Sequence, residues 1–215
     1  MKTSFLRSFT LGLVALVIYV PKALATDVSG TLSSDTTWEA SKSPYVVTGS
    51  VLVSEGVKLT IEDGVEVKFA SGTGLTVFGE LVAQGTSGSG ITFTSAQDSK
   101  AAGDWGPLAF VGTSVDASYD GNGNYASGSI LEYCTVEYGK GITTTMSNPF
   151  INQNTIRYHS DVGINISSTD IANRSSTIKI TNNNISNVSG GIKYSGFGTA
   201  IVTGNAVETV SGVGI

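Results

Sequence analysis

Apolar residues recur along this chain at intervals that suit strands and no helix. Leu131-Glu-Tyr-Cys-Thr-Val136, Ile151-Asn-Gln-Asn-Thr-Ile156, Ile180-Thr-Asn-Asn-Asn-Ile185 and Val202-Thr-Gly-Asn-Ala-Val207 share one template. Each is followed by a Gly-Ile pair, at Gly141-Ile142, Gly163-Ile164, Gly191-Ile192 and Gly214-Ile215. From Leu131 to Ile151 is 20 residues, from Ile151 to Ile180 is 29, and from Ile180 to Val202 is 22. A repeat near twenty residues, rich in β-branched residues, Asn and Gly, predicts the stacked coils of a β-solenoid. The longest coil carries its excess in Ser167 to Ser176, which should loop outward.

Earlier in the chain a shorter interval appears. Leu59-Thr-Ile61, Leu75-Thr-Val77 and Ile91-Thr-Phe93 follow one another at 16 residues, with apolar and polar positions alternating. Alternation is the period of a strand with one buried face. Gly64, Gly74, Gly79 and Gly90 punctuate these strands as turns. Val28 to Val47 predicts a starting cap, with Trp38 and Tyr45 to cover the end of the core.

In the longer repeat the two apolar anchors are five residues apart. An odd separation puts them on opposite faces of a straight strand, so the chain must bend between them. The position before the last two is Cys134, Asn154, Asn183 or Asn205. Asn tolerates the left-handed conformation a sharp bend needs. Stacked amides would form a hydrogen-bonded ladder, with Cys134 as a small buried member of the same column.

Composition narrows the function. The chain has 215 residues, a formal net charge of −5 and only 13% charged residues, with no basic stripe for nucleic acid. One cysteine, Cys134, rules out an intrachain disulfide framework. Residues 1–25 have the layout of a secretory signal peptide: Lys2 and Arg7, an apolar run from Phe9 to Val20, then Ala23-Leu24-Ala25. The run is short for a membrane span, so residues 26–215 are expected as an exported domain with no membrane span.

The stretch from Gly56-Val-Lys-Leu-Thr-Ile61 through Gly103-Asp-Trp-Gly106 to Ile130-Leu-Glu-Tyr-Cys-Thr-Val136 resembles the right-handed parallel β-helix, pectin-lyase-like family. It is similar to secreted bacterial members of that family without assigned activity, over Pro44 to Ile215. The resemblance implies an all-β fold: a single-stranded right-handed parallel β-helix with an N-terminal cap. It also implies carbohydrate as a partner. Lyases of the family use calcium held by acidic residues and an arginine base. Here no aspartates stack on the template, and the Gly-His-Gly and Asp-Pro-His-Asp motifs of the related hydrolases and epimerases are absent.

Two clusters could carry chemistry. On an extended strand Arg157, His159 and Asp161 would project from one face, a cation, an imidazole and a carboxylate suited to proton abstraction from a uronic acid. Against this, stacking puts Glu137 beside Arg157 as a plain surface ion pair, and Tyr138 beside Tyr158. The second cluster is Asp116, Asp120, Asn122 and Asn124. Its alternating oxygens have the spacing that opens a calcium loop, although Asp-Gly-Asn-Gly-Asn is also ordinary turn chemistry. No other cofactor is called for.

The preferred reading is an exported or cell-surface β-helix protein, structural or polysaccharide-binding, without catalysis. Tyr133, Tyr138, Tyr158 and Tyr194 are its candidate sugar-facing aromatics. The rivals are a lyase or epimerase using Arg157, His159 and Asp161, and an adhesin or passenger segment. Because Gly214-Ile215 falls inside the template, the coils are expected to continue beyond residue 215.

Overall fold

The computed structural model describes residues 24–168 and 177–215. The apolar run of the leader and most of the excess in the longest coil lie outside them. The first strand, Thr26–Leu32, begins where the leader is expected to end.

The chain winds as a right-handed parallel β-helix with three faces. Among the described residues every inter-coil pairing is parallel, and the one antiparallel pair is a hairpin outside the coil. The first face stacks residues 45–47 on Glu66–Phe69, Ile91–Ser95, Cys134–Glu137, Thr155–Arg157, Asn184–Val188 and Ala206–Val210. The second stacks residues 51–53 on Leu75–Val77, Leu108–Val111, Ile142–Thr145, Val162–Ser168 and Gly190–Gly196. The third is a 7-stranded sheet from Thr36–Trp38 through Lys58–Ile61, Glu80–Gln84, Ile130–Glu132, Phe150–Asn152 and Thr177–Thr181 to Thr199–Thr203. Alternation sends one residue in two inward, and the core fills the prism between the faces.

At the start of the core Trp38 stacks on Tyr45, with ring centroids 5.1 Å apart. Both are buried, and half-buried Val28 and Leu32 of the first strand pack against the same core. Further along, Trp105 swings in from the loop after Ile91–Ser95 and lies flat on Phe69 at 4.1 Å. Its indole N–H donates to the Glu137 carbonyl at 2.9 Å. Gly139 is required beside it, since a Cβ there would come within 2.6 Å of the indole.

The longer repeat is the true register. Leu131 pairs with Ile151, Ile151 with Ile180 and Ile180 with Val202. Val136, Ile156, Ile185 and Val207 likewise stack on the first face, and Ile142, Ile164 and Ile192 on the second. The 16-residue interval is not a coil. Leu59 lies on the third face, Leu75 on the second and Ile91 on the first. Leu59 pairs with Leu81, Val51 with Leu75 and Val67 with Phe93, so a full coil is 22 to 26 residues there. Sixteen is the advance of two faces, and it repeats because all three faces are built from the same short alternating strand.

The bend between the anchors also differs in detail. The left-handed residues are Tyr133, Gln153, Asn182 and Gly204, each one before the ladder position. The side chains of Tyr133, Gln153 and Asn182 turn outward, and the next residue points in. Asn205 Oδ1 accepts from the N–H and the amide of Asn183, Asn183 Oδ1 from those of Asn154, and Asn154 Oδ1 from the Cys134 N–H, at 2.8 to 3.0 Å. Each amide also donates to a carbonyl of the preceding coil: Ile180, Ile151 and Leu131. Cys134 closes the column, buried, with Sγ against the Ala83 and Glu132 carbonyls. Burial pushes its thiol pKa well up.

Candidate functional site

The strand ending at Arg157 does not carry the alternation on to His159. Tyr158 takes a left-handed φ of 57°, in one column with Tyr138, Asn187 and Thr209. That residue turns the chain at the corner between the first and second faces, and it separates the three candidates. His159 goes inward and is 3% exposed. Asp161 is exposed beyond the corner, its Oδ1 accepting from its neighbour's N–H and its side chain lining a small cavity with Lys140 and Asn165. Arg157 stays on the first face.

The His159 ring is spoken for at both nitrogens. Nδ1 accepts from the Gly139 N–H at 3.2 Å, which makes Nε2 the donor to the Val136 carbonyl at 3.0 Å. Burial holds its pKa below the ordinary histidine value, with Glu137 pulling weakly the other way. A proton added at Nδ1 would face another N–H. The imidazole therefore joins the corner of one coil to the coil before it.

The Arg157–Glu137 pair forms as stacking requires, with contacts of 2.8 and 2.9 Å to Oε2. It is not a plain surface pair, because Glu137 is buried. Its other oxygen accepts from the Thr94 hydroxyl at 2.9 Å, and Lys100 donates to the same hydroxyl. Burying a carboxylate is tolerated here because both oxygens have partners. Tyr138 and Tyr158 stack at 5.2 Å beside it, with Lys100 and Arg157 near their ring faces. Of the four candidate aromatics, Tyr158 and Tyr194 are each 37% exposed and the other two are half-buried.

The acidic excursion is a hairpin, Ser118–Tyr119 against Tyr125–Ser127. Its carboxylates serve the loop and its base. Asp120 Oδ1 accepts the N–H groups of Asn122 and Asn124, and Oδ2 accepts the Asn124 amide. These donors, the Asn124 N–H foremost, hold the Asp120 carboxyl below its usual range. Asp116 instead clamps Asn148 through both oxygens, at 2.7 and 3.0 Å. The two aspartates thus serve different partners. Among the described residues no group of three or more His, Cys, Asp or Glu is placed to hold a metal ion.

The hairpin's position is the feature that chain-order reasoning missed. It folds over the outside of the third face. Tyr125 stacks on Phe150 at 6.1 Å and Tyr119 meets the same ring edge-on at 5.8 Å. Lys179 reaches up from the sheet, donating to the Gly123 carbonyl at 2.8 Å with its ammonium 3.7 Å from the Tyr119 ring centroid. Under this cover Ile130, an outward position, is fully buried. Burial, with Glu80 and Glu132 near, pushes the Tyr125 hydroxyl up to about 12, and Tyr119 is raised further.

Beside the hairpin runs an open trough of about 530 Å³. Its floor is one outward column in continuous register: Gln84, Glu132, Asn152, Thr181 and Thr203. Glu132 accepts from the Gln84 amide at 2.8 Å and the Asn152 amide at 2.6 Å. Asn152 Oδ1 in turn accepts from the Thr181 hydroxyl at 2.7 Å and the Asn182 amide at 3.2 Å. Asn124, Tyr125, Phe150 and Lys179 line its sides. The signal was in the sequence as the polar residue after each third-face anchor, but it needed the correct coil register to become a column.

No helix among the described residues is long and apolar enough to cross a membrane. The sequence model described as a pectate-lyase like beta helix domain matches residues 30–148. No curated protein and no solved structure matches.

Proposed function

This chain belongs to the pectate-lyase-like β-helix domain family, and from that premise we propose that it is an exported, polysaccharide-binding scaffold that does no chemistry of its own on the glycan. The leader-like residues 1–25 support export. The observation that carries binding is the trough on the third face. There a straight column of amides, a carboxylate and hydroxyls is held in place by its own hydrogen bonds beside the Tyr125 and Phe150 rings. Sugars are recognised by this combination: convergent polar groups that need no reordering, next to aromatic surface.

The absence of catalysis rests on how the candidate acid–base residues are used. A general base must offer a free lone pair to substrate. His159 spends both nitrogens on backbone and is buried, and Arg157 is held by Glu137. Removing His159 should therefore lower stability and leave glycan retention unchanged. The test is affinity electrophoresis of the full chain through gels containing polysaccharide, wild type against Thr181→Tyr and His159→Ala. Retention lost only in Thr181→Tyr supports the reading. Polymer cleavage that disappears with His159 would replace it with an enzyme.

A further inference from the structure

We infer that the trough takes a neutral, extended glycan lying along the solenoid axis, about one sugar per coil, and discriminates against uronic-acid polymers. This rests on the polysaccharide-binding reading and narrows it.

The direction follows from the column. Its rungs come from successive coils, and strands in a sheet lie ~4.8 Å apart. Five rungs from Gln84 to Thr203 therefore extend over about 19 Å. That rise is close to the length of one pyranose unit in an extended chain, so successive rungs meet successive sugars. A chain crossing the face would instead run into the hairpin, where Tyr125 and Asn124 form one side.

The charge preference follows from what the trough holds. Among the described residues that line it, Glu132 is the one carboxylate and Lys179 the one cation. Lys179 is committed to the Gly123 carbonyl and the Tyr119 ring, so it is not offered to ligand. A uronate chain would bring a carboxylate to every rung, pass Glu132, and find no free cation among the described lining residues. The formal net charge of −5 adds to that repulsion. Hydroxyl groups meet no such penalty: the Thr181 oxygen can still accept, and the Gln84 and Asn182 amides each keep a second N–H and a carbonyl oxygen.

The experiment is calorimetric titration of the full chain with β-1,4-linked glucose or mannose oligomers and with galacturonate oligomers of matched length, at low salt. Neutral affinity should rise with length and level off at about four to five sugars, when the rungs are spanned. Galacturonate should bind at least ~10-fold more weakly, and Glu132→Gln should narrow that gap. Thr181→Tyr, or the more exposed Thr203→Tyr if the first lowers the melting temperature, should abolish neutral binding. Galacturonate binding as well as or better than neutral oligomers would overturn the charge assignment and leave the polysaccharide reading standing. Binding of neither class, or binding untouched by both tyrosine variants, would overturn the trough itself and both readings with it.

Discussion

The coils before and after Leu131 reach the same cross-section with different parts. Between Phe69 and Phe110 large rings share the interior with aliphatic residues, and Phe69, Phe93, Trp105 and Phe110 are fully buried. The left-handed positions from Gly30 to Gly128 are all glycines. From Leu131 onward the interior is aliphatic, chiefly isoleucine, and the corners use Tyr133, Gln153, Tyr158, Asn182 and Asn187 in the left-handed region. The asparagine ladder runs only through this second part. Large rings fill an irregular coil at the expense of a readable period. Regular coils need a fixed corner, and the ladder supplies it by satisfying backbone groups from within.

That contrast can be broken at its strongest point first. Trp105→Ala removes a ring stacked on Phe69 and strands the Glu137 carbonyl, so chemical denaturation should show a loss of about 3–5 kcal/mol. In the regular part the comparable loss comes from a polar residue. Asn183→Ala leaves the Ile151 carbonyl and the Asn154 N–H unpaired, and it should cost about 1–3 kcal/mol by the same measurement. An unchanged stability would mean the ladder decorates the corner without holding it.

Glycine exchanges sharpen the difference. Gly56 has a φ of 74° and open space around it, so Gly56→Ala isolates backbone strain and should cost about 1–2 kcal/mol. Gln153 sits at φ 55° with its side chain exposed, and Gln153→Gly should stabilise by up to about 1 kcal/mol, less the entropy glycine loses on folding. Two melting curves decide it: opposite signs show that the Gln153 corner carries a left-handed strain the Gly56 corner avoids, and equal signs refute that difference.

The smallest effect is the pH dependence at His159. Its folded pKa is depressed, so the unfolded chain binds a proton that the native ring refuses. Stability should fall as pH drops below about 6.5, above the carboxylate range, and His159→Gln should remove that slope. Thermal melts across the window read it directly.

The regular half was legible because its anchors, corners and ladder recur on one template, and Leu131 to Val207 stack in the order that template predicts. The irregular half misled, since similar strands on three faces imitate a 16-residue repeat. The cluster of Arg157, His159 and Asp161 fails for a local reason: one left-handed residue, Tyr158, cancels the alternation that would have aligned them. The Glu137 pairing was readable from register, but its burial depends on Thr94 and the Trp105 loop from an earlier coil. The trough was hidden for the same kind of reason. Its wall and its floor come from segments whose adjacency no short-range pattern records, with Lys179 meeting Gly123 across 56 residues.

We propose that this β-helix holds a glycan without cutting it. The direct measurement is the chain length of a bound polymer after prolonged incubation with the full chain, read by size-exclusion chromatography with light scattering. A neutral glycan should co-elute with the protein, and neutral and uronic-acid polymers should both keep their original length. Shortening of either polymer by the wild type, lost in His159→Ala, would contradict it.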